Sequence, residues 1–162
     1  MRESRKHWVS RLAFLAFCGG APAYAAAGES LCAAGEPVVF ACHVGSKMVS
    51  LCRPPGDRGM LSYRFGRPDA LELSYPAQGR QASAAFTVKS APLVGGGETT
   101  VAFRRGAYTY TVYSRVGRGE DGATPEFEDG VIVSRRGKVL SRMRCDDGGE
   151  GFREPLSVVA VK

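Results

Sequence analysis

The sequence predicts an all-β fold: a single small antiparallel β-barrel or sandwich of about eight to ten short strands, stapled by disulfides. Three observations carry that expectation. Short β-favouring runs alternate with turn residues along the chain, no window shows a long helical period, and the cysteines beyond an N-terminal leader are even in number.

The leader comes first. Residues 1–11, MRESRKHWVSR, carry Arg2, Arg5, Lys6 and Arg11 against a single Glu3. LAFLAFCGG follows as a short apolar stretch, and Pro22-Ala23-Tyr24-Ala25 then supplies small residues in A-x-A spacing. Basic, then apolar, then small is the order of a secretory signal peptide. The apolar stretch is far shorter than the roughly 20 residues of a membrane-crossing helix. Residues 1–25 are therefore read as a cleaved signal peptide, with Ala27 as a second cleavage choice, and residues 26–162 as one β domain. Cys18 follows Phe17 rather than a small residue, which disfavours lipidation. The mature chain is expected to be periplasmic or secreted, with no transmembrane segment.

Removing the leader takes away four basic residues and one acidic one, so the formal net charge falls from +6 to about +3. So modest a balance gives little reason to expect a nucleic acid partner, which calls for a concentrated basic face with reading elements.

The strands are read in order. PVVFACHV (37–44) and KMVSLCR (47–53) flank Gly45-Ser46, and MLSYRFG (60–66) follows the looser turn PPGDRG (54–59). ALELSYP (70–76), SAAFTVKS (83–90) and TTVAFRR (99–105) come next. AYTYTVYSR (107–115) is the clearest, because Tyr108, Tyr110 and Val112 point one way while Thr109 and Thr111 point the other. GVIVSRR (130–136), KVLSRMRC (138–145) and PLSVVAVK (155–162) complete ten candidates. Gly45-Ser46, Arg105-Gly106 and Arg136-Gly137 sit between runs, where glycine supplies the positive φ of tight hairpins. VGRGEDGATPEFEDG (116–130) is polar and glycine-rich, and reads as a long exposed loop.

Cys32, Cys42, Cys52 and Cys145 remain in the mature chain, an even set for an oxidising compartment, so all four are expected in disulfides. The ten-residue spacings contain no C-x-x-C, which argues against a zinc site or a redox pair. A two-residue loop at Gly45-Ser46 sets Cys42 opposite Val49 and Phe40 opposite Leu51. Cys42 then shares a face with Phe40 and Leu51, and Cys52 lies on the other face. Side chains on opposite faces cannot meet disulfide geometry. Cys42–Cys52 is thus disfavoured among the three connectivities, and Cys42 with Cys145 and Cys32 with Cys52 is the preferred pairing, not a unique one.

Nothing in the chain spells a catalytic constellation. His43 is the single histidine of the mature chain and reads as a packed or surface strand residue. No G-x-S-x-G elbow, H-E-x-x-H or Walker loop occurs. Glu120, Asp121, Glu126, Glu128 and Asp129 crowd the expected loop, poorly placed for a fixed carboxylate pair. Asp146-Asp147-Gly148-Gly149-Glu150 resembles a calcium loop in composition only. Both groups are read as solvated, with no catalytic residue, metal or cofactor implied.

The cations are more informative. Arg104 and Arg105 fall at one hairpin end and Arg135, Arg136 and Lys138 at another, while Arg142 and Arg144 share a face of the following strand. They form either a solvated edge that deters strand aggregation or a patch for an acidic partner.

The block FRRGAYTYTVYS (103–114) resembles the aromatic-x-x-Gly-x-Tyr-x-aromatic strand pair of the bacterial periplasmic and membrane-bound inhibitors of c-type lysozyme. Phe103, Gly106, Tyr108 and Tyr110 occupy the matching positions. The resemblance implies an exported eight-stranded β-barrel, with Cys42 and Cys145 standing for the family's disulfide. Thr99-Thr100 and Tyr113 fall where those inhibitors carry their Ser-Gly pair and Lys, so the inhibitory residues do not carry over. The arrangement FACHVGSKMVSLC … YRFG … FRRGAYTY … C is also similar to small exported proteins of Gram-negative bacteria.

Three functional readings follow. The first is a periplasmic non-catalytic binding or inhibitor-like module for a protein or cell-wall component, with Arg104, Arg105, Tyr108 and Tyr113 as candidate partner-binding residues. The others are a c-type lysozyme inhibitor and a hydrolase acting on an envelope polymer. Non-reducing mass spectrometry of the secreted form should find no free thiol. Two or more free thiols, or stoichiometric zinc, would contradict the disulfide framework.

Overall fold

The structure, a computed structural model, describes residues 30–56, 60–77, 86–146, 148, 150–154 and 156. The expected leader with Cys18, and most of the tenth candidate run at 155–162, lie outside the described residues.

Among the described residues nine strands form: β1 (Val38–Val44), β2 (Lys47–Cys52), β3 (Ser62–Arg67), β4 (Ala70–Tyr75), β5 (Phe86–Leu93), β6 (Gly96–Arg105), β7 (Tyr108–Arg118), β8 (Pro125–Arg135) and β9 (Lys138–Arg144). They make two antiparallel meanders, β1-β2-β3-β4 and β5-β6-β7-β8-β9. The sheets do not close into a barrel, and the arrangement is a sandwich. No helix among the described residues is long and apolar enough to cross a membrane.

The stretch 116–130 corrects the reading of a long exposed loop. β7 runs on to Arg118 and β8 starts at Pro125, with Val116 opposite Phe127 and Gly117 opposite Glu126. Strand pairing satisfies the backbone whatever the side chains are, so polarity and glycine content did not mark the strand ends. The turn that remains is closed by Gly119 N–H donating to Thr124 O at 2.8 Å. β5 and β6 likewise extend beyond their expected ends and meet at Val94-Gly95, with Leu93 opposite Gly96. β5 is an edge strand, where Pro92 is tolerated.

The first hairpin has the register its two-residue loop dictates: Val44 faces Lys47, Cys42 faces Val49 and Phe40 faces Leu51. Gly45 supplies the turn with φ 61°. Phe40, Cys42, Val49, Leu51, Tyr63 and Leu73 of the first sheet thereby meet Phe86, Val101, Phe103, Val112 and Val131 of the second in one core. Phe103 is the hub between the layers. Its ring stacks on Tyr75 at 4.3 Å and on Tyr110 at 4.9 Å, and tilts against Tyr63 at 4.9 Å. Burying one such side chain stabilises by about 1.5–3 kcal/mol, and aromatic pairing adds to that.

Cys52 lies on the other face of β2, and residues 30–36 cover it. Cys32–Cys52 bonds that segment to the sheet with a Cα separation of 5.5 Å. Leu31 N–H donates to Ser50 Oγ at 2.9 Å. The Arg64 guanidinium donates to Leu31 O at 3.1 Å and forms a bidentate pair with Glu36, where Nη2–Oε1 is 3.0 Å. The Arg64 hydrogen bond is the main reason the Glu36 carboxyl sits below its ordinary pKa, outweighing the opposing effect of burial. Covered on both faces, β2 is buried from Met48 to Cys52.

Cys42–Cys145, with a Cα separation of 5.5 Å, joins the two sheets along one side. Asp146 N–H donates to His43 O and Arg153 N–H to Val39 O, both at 2.9 Å, and the Asp146 carboxylate accepts the Gly45 N–H. The free edge of β1 is thus taken up by the chain that follows β9. The two disulfides separate their cysteines by 103 and 20 residues. On the chain-entropy model they stabilise by about 5 and 3 kcal/mol respectively. Urea unfolding should therefore show a larger loss for Cys42→Ala/Cys145→Ala than for Cys32→Ala/Cys52→Ala.

Candidate functional site

In a meander every second hairpin turn lies at the same end of the sheet, so the β6–β7 and β8–β9 turns are neighbours. Arg136 N–H donates to Ala107 O at 3.2 Å and ties one turn to the other. Arg105 faces Tyr108, Tyr108 faces Arg135 and Arg135 faces Lys138, forming one row across four strands. The Arg135 guanidinium lies 5.5 Å from the centre of the Tyr108 ring, within cation–π range. Tyr108 remains 37% exposed. Arg104, beside Thr109, points to the opposite face, and Arg136 occupies the turn at φ 50°.

Arg104, Arg105, Arg135, Arg136 and Lys138 are all exposed. Among the described residues no carboxylate pairs with any of the five. Seven of the other ten described cations do have such partners: Lys47 with Glu72, Arg53 with Glu154, Arg64 with Glu36, Arg67 with Asp69, Arg115 and Arg144 with Glu128, and Arg153 with Glu150, whereas Lys89, Arg118 and Arg142 do not. Of the eight described cations without a carboxylate partner, Arg105, Arg135, Arg136 and Lys138 gather at one end of the sheet around one exposed tyrosine, with Arg104 on the opposite face of the same end.

Tyr113 sits elsewhere and does something different. It is 1% exposed, on the outer face of the five-stranded sheet, with its ring lying over Gly130. A Cβ at Gly130 would come within 2.8 Å of the Tyr113 hydroxyl and 2.3 Å of Met143 O, so only glycine leaves room for the ring. The hydroxyl donates to Glu128 Oε1 at 2.7 Å, while Arg115 and Arg144 reach Oε2 at 2.8 and 3.0 Å. Arg142 covers the ring, 5.6 Å from its centre. Burial, then the bond to Glu128, push the Tyr113 hydroxyl above its ordinary pKa. Burial also pushes the Glu128 carboxyl up, but Tyr113, Arg115 and Arg144 together outweigh it and hold the carboxyl below its ordinary value. Tyr113 is an anchor that fixes Glu128 and, through it, Arg115 and Arg144.

The acidic stretch 120–129 is not uniformly solvated, as the sequence suggested. Glu128 is 7% and Asp129 4% exposed, and Asp129 accepts the Gly151 N–H at 2.7 Å. Asp121 is exposed and shapes the turn. It accepts the Thr124 hydroxyl and the Ala123 and Thr124 N–H groups, which lower its carboxyl to about 2. Asp146 is committed to Gly45, and Asp147 and Gly149 lie outside the described residues. His43 is exposed on β1. Cys32, Glu36 and Cys52 cluster within 4.8 Å, but the two sulfurs are bonded to each other and Glu36 to Arg64, which leaves no ligand set for a metal.

Sequence reasoning placed Arg104, Arg105 and Tyr108 at a hairpin end, but did not bring Arg135, Arg136 and Lys138 beside them. The signal was present, since simple meander order puts those two turns together. Glu128 was missed because PEFEDGV alternates with two acids on one face, and burial of an acid is legible only with its partners in place. No family model, no curated protein and no solved structure matches the chain.

Glu128 stabilises the fold while ionised. Its folded pKa lies below the ordinary value of 4.5, so the contribution is full above that value and is lost as pH falls through the folded pKa. Glu128→Gln should cost about 1–2 kcal/mol near neutral pH. It should also flatten the acid limb of a plot of urea midpoint against pH. An unchanged acid limb would remove Glu128 as its source.

Proposed function

We propose that the protein is an exported, non-catalytic binding module that docks an acidic partner, a protein or a cell-envelope component, through the basic end of its five-stranded sheet. The four cations Arg105, Arg135, Arg136 and Lys138 around Tyr108, without a carboxylate partner among the described residues, are the observation that carries this reading. Turns on a rigid β scaffold are where binding groups concentrate. Arginine pairs with carboxylates through two parallel hydrogen bonds, and tyrosine beside arginine is a recurrent energetic centre of interfaces. The two disulfides are compatible with an oxidising, extracytoplasmic setting.

Inhibition of c-type lysozyme is the second reading, favoured by the FRRGAYTY block. A cationic docking end opposes it, because that enzyme is itself strongly cationic and like charges disfavour encounter. A hydrolase acting on an envelope polymer requires two carboxylates held across a cleft. Glu128, the most firmly held acid of the five-stranded sheet's outer face, is already engaged by Tyr113, Arg115 and Arg144.

Arg105→Ala/Arg135→Ala/Arg136→Ala should retain the circular dichroism spectrum and melting temperature of the parent, since exposed charges contribute little to stability. Association with a partner captured from periplasmic extract or with purified cell-wall sacculi should slow, most at low salt. Equal association rates for parent and variant across salt concentrations would leave the basic end as a solvated edge.

A further inference from the structure

A separate feature lies on the outer face of the same sheet. An open cavity of about 640 Å³ is lined by Thr87, Lys89, Thr100, Ala102, Arg104, Thr109 and Thr111 of this face, and also borders the core pair Tyr75 and Phe103. Its volume falls in the range of small-ligand sites, roughly 300–1,000 Å³. The register explains the shape. Thr87, Ala102 and Thr111 form one row across β5, β6 and β7. Lys89 and Thr100 form the next row on one side, and Arg104 and Thr109 the next on the other. Ala102 is the small residue at the centre, so the surface dips there. Hydroxyls ring the dip, and two cations stand at diagonal corners. Strand rise and spacing put the Lys89 and Arg104 Cα atoms about 14 Å apart.

The chemistry of this dish is narrow. Thr100 reaches Lys89 O at 3.5 Å, and among the described residues no partner takes the Thr87, Thr109 or Thr111 hydroxyls or the Lys89 and Arg104 charges. Threonine is stiff at its first side-chain torsion, so its hydroxyl is ordered at little entropic cost. Each hydroxyl both donates and accepts, which matches a ligand whose own groups are hydroxyls. A peptide lying here gains no backbone ladder, because the strand N–H and C=O groups beneath it already pair within the sheet. Among the described residues no carboxylate lines the cavity, and both charges are positive.

We infer that this dish is a binding site for an acidic saccharide, its hydroxyls taken by Thr87, Thr100, Thr109 and Thr111 and its anionic group by Lys89 or Arg104. The anionic group is a uronate carboxylate or a sugar phosphate, which share this recognition chemistry. The site stands on its own geometry and does not require the basic end to dock a protein.

Amide chemical shifts of the full mature chain, followed during titration with trigalacturonate, glucose 6-phosphate and neutral maltotriose, test it. Shifts confined to 87–89, 100–104 and 109–111 with one or both acidic sugars are expected, and which of the two binds identifies the anionic group. Ala102→Leu fills the dip without changing charge, and Thr87→Val/Thr111→Val removes hydroxyls while keeping shape. Each should weaken binding by about tenfold or more. Arg105→Ala/Arg135→Ala/Arg136→Ala should bind the sugar like the parent, which separates this site from the docking end. The inference is overturned by an absence of shifts with both acidic sugars at millimolar concentration. Equal binding of maltotriose, or parental affinity in both dish variants, overturns it as well.

Discussion

Cys42 and Cys52 stand on opposite faces of one strand pair, and the rest of the molecule follows from that separation. A slip of one residue in the first hairpin would exchange the two faces. The two-residue turn at Gly45-Ser46 forbids it by holding Cys42 opposite Val49. The inward cysteine then reaches Cys145 and joins the second sheet, and the outward one reaches Cys32 and draws residues 30–36 over the first. Three layers result: a short segment, a four-stranded sheet whose strand β2 is buried on both faces, and a five-stranded sheet buried on one.

That asymmetry decides which sheet face is left open to solvent. The outer face of the first sheet is occupied by Leu31, Cys32 and the Arg64–Glu36 pair. The outer face of the second is left with threonines, lysine and arginines at its alternate positions, the composition expected of a pleated face turned to water. Tyr113 and Glu128 make part of this face rigid by holding Arg115 and Arg144, so charge there is fixed in place. At the end of the sheet the charges have no such partners among the described residues, and they border an exposed surface. Positions one residue apart, such as Arg104 and Arg105, border different surfaces, one the threonine-lined dish and the other the row through Tyr108.

Much of this architecture was legible beforehand because it rests on local rules. Nine of the ten candidate runs are strands, and the first hairpin's register follows from its loop length alone. Strand ends at Arg118 and Pro125 were not legible, since their pairing depends on a partner strand and not on their own composition. Tyr113 was expected as a candidate partner-binding residue. It is buried because Gly130, seventeen residues on, lets its ring lie flat and Arg142 closes over it. The cationic end around Tyr108 and the hydroxyl dish both require the order of strands, which single-strand patterns do not contain.

The docking end is tested most directly by a photo-crosslinking amino acid placed in the exported protein at Tyr108, compared with one at Phe127. The second position lies toward the other end of the same sheet and is 70% exposed. Position 108 should give a discrete crosslinked product with an envelope component, reduced by high salt and by Arg105→Ala/Arg135→Ala/Arg136→Ala, while position 127 gives none. A product from position 127 alone, or products of equal yield from both positions that salt does not change, would contradict a partner held at the basic end.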